Sequence, residues 1–158
     1  MLSLLLPKTI DNTFRGWRLG LWLFVPVLIV RLGIGFNSAF NARETAMNAD
    51  GIPLNLLGEA GANEAVAIFA LLGFAGFVLA LFGVLVLLRY RSMIPLMYLV
   101  FLIGQLGNRV LNAYHPTLKG GAKVISDGVP VASIVVYGLL GMLVVGFVLS
   151  LIPRGERT

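Results

Sequence analysis

The chain has 158 residues, 58% hydrophobic and 12% charged, with a mean hydropathy of +0.93; a soluble domain of this size cannot hide so much apolar surface, so lipid must be the solvent for much of it. The formal charge of +5 would fit nucleic acid, but the basic residues form short clusters at the ends of apolar runs, which argues against a nucleic-acid face and matches the positive-inside pattern. The absence of cysteine and the single histidine, His115, exclude disulfides, thiolate metal sites, a Cys nucleophile and a self-supplied pair of haem histidines.

Met1 to Pro7 is an apolar stub too short to span and without the basic start of a secretory signal. Lys8, Arg15 and Arg18, with Trp17 and Trp22, form a basic and aromatic anchor for a first span over about 17–40, which carries Pro26 and Arg31. Residues 41–61 make the longest polar connection, with a short surface helix expected over Ala42–Ala49 and a turn at Asn48-Ala-Asp-Gly51. The second span covers about 62–88 and is free of charge from Ala65 to Leu88, a run of about 36 Å at helical rise. Arg89-Tyr-Arg91-Ser is a tight basic turn into the third span, about 93–113, whose Pro95 falls in a tolerated first-turn position. Residues 114–128 return as an outer loop, and 129–152 make the fourth span.

Seven basic residues (Lys8, Arg15, Arg18, Arg89, Arg91, Arg154, Arg157) flank one side and three (Arg43, Lys119, Lys123) the other, which predicts both termini in the cytoplasm. The expected fold is all-α: a single-domain integral membrane four-helix bundle over 1–158, N-in/C-in.

Three charges remain at or near membrane depth. Arg31 lies about 20 Å above Arg18, Arg109 about 27 Å above Arg91 and Glu64 about 37 Å above Arg89 by helical rise. All three fall in the outer half, where Asn37, Asn63, Gln105, Asn108, Asn112 and His115 also lie. Gln105, Asn108, Arg109 and Asn112 share one helical stripe, continued by Phe101 and Tyr98, that must turn away from lipid. A charge near the bilayer centre costs at least about 2.5–3.5 kcal/mol, so Arg31 needs a reason to be there. One acid cannot neutralise two arginines, and the surplus invites an anion: a lipid headgroup, a carboxylate or a partner's acidic side chain. The competing reading lets both arginines snorkel to outer-leaflet phosphates, with the amides as interhelical glue. Glu64 as a general acid or proton relay, and His115 as a ligand rather than a loop residue, are weaker readings that lack companion groups.

Gly73, Gly76, Ala80 and Gly83 on the second span, and Gly138, Gly141 and Gly146 on the fourth, are read as helix-packing surfaces. The stripe on the second span points well away from Glu64, so that helix has two specialised sides, which favours a homo-oligomer or residence in a larger complex.

Four spans, Gly61-Ala-Asn-Glu64 opening the second, Arg89-Tyr-Arg91 in the turn and Gly107-Asn-Arg109 closing the third together resemble the DoxX-like superfamily, within it a group of small bacterial four-helix membrane proteins of unassigned function. The similarity covers roughly Leu19 to Tyr114; where that group tends to carry arginine two residues after the Asn-Glu pair, this chain has Val66. The resemblance implies a bacterial inner membrane, and its relatives beside quinone-linked oxidoreductases imply a redox-complex subunit. No nucleotide, phosphate-loop or metal-cluster motif and no nucleophile–base pair occurs, so no cofactor is expected. The leading expectation is a non-catalytic accessory or scaffold subunit of a larger membrane complex. The alternative is a carrier or binder of an anionic lipid or quinone-like ligand through Arg31, Glu64, Gln105, Asn108, Arg109, Asn112 and His115. An enzyme using Glu64 ranks last.

Overall fold

A computed structural model describes residues 2–7, 9–49, 51–114 and 131–153. Among them the chain is helical, with no strand beyond a bridge between Gly16 and Pro153. Helix α1 (Leu2–Leu5) is a single turn. Helices α2 (Arg18–Phe40), α4 (Gly58–Arg89), α5 (Ile94–Tyr114) and α6 (Val131–Leu151) are each long and apolar enough to cross a membrane, the architecture of a multi-pass membrane protein. Helix α3 (Ala42–Asn48) lies in the connection between α2 and α4, as the sequence predicts. The turn after it needs a left-handed residue, supplied by Gly51 at φ 67°. Helix α2 runs unbroken through Pro26 and Arg31. Helix α4 starts at Gly58, one turn earlier than its hydropathy indicates.

Helix α2 is the centre of the bundle, packing most extensively on α4 and then on α6, while α5 leans mainly on α6. The α2–α4 seam is close because small residues face backbone. A Cβ on Gly35 would sit 2.7 Å from the Phe77 nitrogen, and one on Gly73 would sit 2.5 Å from the Ser38 carbonyl carbon. At the end holding the described terminal segments, Trp17 N–H donates to the Leu149 carbonyl at 3.2 Å, so the chain enters and leaves the bundle on the same side.

The packed core lies in the half nearer that end. Phe24, Val27 and Leu28 of α2 meet Val86 of α4, Ile94 to Leu102 of α5, and Leu139 and Leu143 of α6. Phe24 packs edge-on against Tyr98 with ring centroids 5.0 Å apart and stacks on Phe101 at 6.1 Å. Beyond Leu102 no residue of α5 is fully buried, and every residue from Val110 to Tyr114 is exposed.

Candidate functional site

Arg31 occupies the inward face of α2. The buried residues Gly20, Phe24, Val27, Leu28, Gly35 and Ser38 recur at helical spacing, and Arg31 stands three after Leu28 and four before Gly35. On α5 the inward face runs Tyr98, Phe101, Gln105, Arg109, its first two members buried and its last two half-buried. Counting rise from Arg18 and Arg91 puts Arg31 and Gln105 at the same depth, about 20 Å from that end. They meet there: Arg31 Nη2 donates to Gln105 Oε1 at 3.2 Å and to the Phe101 carbonyl at 3.1 Å. The guanidinium carbon lies 4.9 Å from the Phe101 ring centroid.

One turn further out, the Arg109 guanidinium lies over the Tyr137 ring of α6 at 4.2 Å. The Nε atoms of Arg31 and Arg109 are both buried and without an acceptor, the orphaned polar side-chain atoms among the described residues. Each such N–H costs about 1–3 kcal/mol unless something accepts from it. Among the described residues no acid pairs with them, and the ion pair is Arg15 with Asp11, at the opposite end. Two guanidinium groups therefore lie on two aromatic rings, one of them also bonded to an amide, with no acidic partner among the described residues.

The remaining predicted site residues stand apart. Glu64 is exposed on α4 with no hydrogen bond or ion pair among the described residues, and its neighbour Asn63 accepts from Arg43 Nη1 at 3.5 Å. Asn108 and Asn112, on either side of the half-buried Arg109, are exposed. Asn37 bonds locally, donating to the Gly33 carbonyl at 3.0 Å and accepting from Asn41 Nδ2 at 3.1 Å. His115 lies outside the described residues.

The packing residues also divide. Gly73, Ala80 and Gly83 are buried, Gly73 on α2 backbone and Gly83 against Leu28 and Phe101. Contrary to expectation, Gly76, Gly138 and Gly141 meet nothing within 4 Å at the Cβ position. The reason on α6 is rotational: Leu139, Leu143, Gly146 and Ser150 are its buried face, and at 100° per residue Gly138 and Gly141 fall off it. Gly146 is where the Tyr98 ring lies. Tyr137 was not singled out from sequence; an aromatic with a polar tip amid Val, Leu and Gly is the signal for it.

No known protein family, no curated protein and no solved structure matches the chain.

Proposed function

We propose that this is a non-catalytic membrane protein that binds an anionic lipid or quinone-like ligand at the Arg31–Gln105–Arg109 layer. The observation that carries this reading is the pair of buried Nε atoms that have no acceptor and no acidic partner among the described residues. The oxygens of a carboxylate or phosphate lodged there would be acceptors for these N–H groups, and the low dielectric around them strengthens each contact. The aromatic platforms of Phe101 and Tyr137 hold the guanidinium planes, so little rotamer freedom is left to lose on binding. Native mass spectrometry of the protein in mild detergent tests it: Arg109→Leu abolishes a retained anionic lipid or quinone-like species. Unchanged retention overturns the reading.

A second reading, an accessory subunit of a larger membrane assembly, is favoured by the exposure of Asn108 and Asn112 at or near membrane depth. Amides facing acyl chains are costly, and a neighbouring membrane protein would accept their hydrogen bonds. Co-purification with such an assembly supports this reading, and a stable lone monomer counts against it. Both readings place the chain in a bacterial inner membrane, within the DoxX-like group it resembles, with both termini cytoplasmic. The absence of cysteine makes topology directly measurable. Ser3→Cys is protected from a membrane-impermeant thiol reagent in intact cells and Asn48→Cys is labelled; the reverse pattern overturns the orientation.

A further inference from the structure

The opposite end of the bundle carries a separate feature. Residues 9–16 form a strap across the α4–α5 turn, held by its own backbone: Asp11 N–H donates to Ser92 Oγ at 3.1 Å, and Ser92 returns bonds from N and Oγ to the Asp11 carbonyl at 3.3 and 2.9 Å. The bridge between Gly16 and Pro153 fixes its far end. Between this strap and the last turns of α4 lies an open groove of about 560 Å³, with Ile10 and Asn12 on one side and Leu85, Leu88, Arg89 and Tyr90 on the other.

We propose that this groove holds one anionic phospholipid of the adjoining leaflet, its phosphate on Arg89 and Asn12 and its acyl chains along Leu85 and Leu88. Depth supports it. Arg89 ends the 32-residue helix α4, directly after the charge-free run, so Leu85 and Leu88 stand in hydrocarbon and Arg89 at its edge. Charge supports it as well. Among the described residues Arg89 has no acidic partner; the nearby Asp11 carboxylate is already engaged by Thr13 and Arg15, and Arg91 turns its Nε back to the Leu87 carbonyl at 3.0 Å. A soluble anion would use only the polar wall, whereas Ile10 and Leu88, 58% and 65% exposed, offer an apolar wall along which acyl chains can lie. The groove is formed by strap and helix together, so it selects one lipid where a lone arginine would only attract a shell of them. This site is independent of the Arg31–Arg109 layer and does not rest on the function proposed for it.

The test is lipid titration in native mass spectrometry of the full chain carrying Arg109→Leu, so that the Arg31–Arg109 layer adds no retained lipid, with phosphatidylglycerol against phosphatidylcholine of identical chains. This parent retains phosphatidylglycerol preferentially, by about tenfold for a charge-assisted contact at one site. Arg89→Gln removes the preference. Leu85→Trp, which fills the groove and keeps the charge, removes it equally. Arg18→Gln makes the same charge change at the same end but outside the groove, and keeps the preference. Retention of the preference in Arg89→Gln or Leu85→Trp, or its equal loss in Arg18→Gln, overturns the proposal. Unchanged thermal unfolding of the variants separates loss of lipid from loss of fold.

Discussion

Arg31 on α2 and Gln105 on α5 lie 74 positions apart in the chain, yet their side chains meet at 3.2 Å at one depth in the bundle. Among the described residues the guanidinium has one other acceptor, the Phe101 carbonyl. Gln105→Leu leaves that charge short of an acceptor, and the expected loss is about 1–3 kcal/mol of stability. Replacing both partners, Arg31→Leu with Gln105→Leu, removes the stranded group and restores stability to near wild type or above. Thermal unfolding in mild detergent checks this. A double variant no more stable than Gln105→Leu alone would contradict it.

Much of this was legible in the residues. Four spans, the surface helix after the first and the basic turn between α4 and α5 follow from hydropathy and turn chemistry, which are local properties. The depth count put Arg31 in the outer half where Gln105 also lies, but which α5 side chain meets Arg31 is a tertiary fact. The division of the α5 stripe was not legible. Asn108 and Asn112 share the period of Gln105 and Arg109, but whether a neighbour covers them depends on where α5 parts from the bundle, a tertiary fact. The same limit applies to Gly138 and Gly141. Spacing marks a small-residue face, yet the choice of buried face on α6 falls to Leu139, Leu143 and Gly146, and through Gly146 to the Tyr98 ring. The role of Tyr137 was not legible either, because its partner, Arg109, is on another helix.

The two groups of glycines should respond differently to the same change. At Gly73 an added methyl would sit 2.5 Å from the Ser38 carbonyl carbon, and backbone cannot yield as a flexible side chain does. Gly73→Ala is therefore expected to cost about 1–3 kcal/mol through forced separation of α2 and α4. Gly141→Ala meets open space and should change stability by no more than about 0.5 kcal/mol, or improve it slightly by favouring helix. Unfolding temperatures of the two variants, measured in the same detergent, decide the matter. Equal effects would refute the assignment of faces.

Tyr98 joins two helices with one bond. Its ring is fully buried beside Phe24, and its hydroxyl donates to the Gly20 carbonyl at 2.8 Å. Tyr98→Phe keeps the packing and loses about 1 kcal/mol. Gly146→Ala does more harm, because its methyl would overlap the same ring and hydroxyl and push Tyr98 off the core. If Tyr98→Phe were the more damaging of the two, the hydroxyl bond to α2 rather than the seat of the ring on α6 would be what holds Tyr98 in place.

The strap over the α4–α5 turn is tied in two ways, and acid should loosen only one. Asp11 accepts from Thr13 Oγ1 at 2.6 Å and from Thr13 N–H at 3.1 Å, and pairs with Arg15 at 3.0 Å. The Thr13 hydroxyl is the largest cause, with the Thr13 N–H and Arg15 adding to it, that holds the Asp11 carboxyl below its ordinary 3.8. A depressed folded-state pKa stabilises the strap fully above the unfolded value, and that contribution disappears as pH falls through the folded value. Protection of the Thr13 amide from hydrogen exchange, corrected for the intrinsic rate, is therefore flat above about pH 4 and declines below it. Asp11→Asn removes the ionisation, so its protection is lower at neutral pH and shows no such decline. The bonds between the Asp11 backbone and Ser92 involve no titrating group, so the Ser92 amide keeps its protection across the same range in both proteins. A parallel decline at Thr13 and Ser92 in wild type would mean that the strap leaves as a unit, and that the carboxylate holds the whole of it.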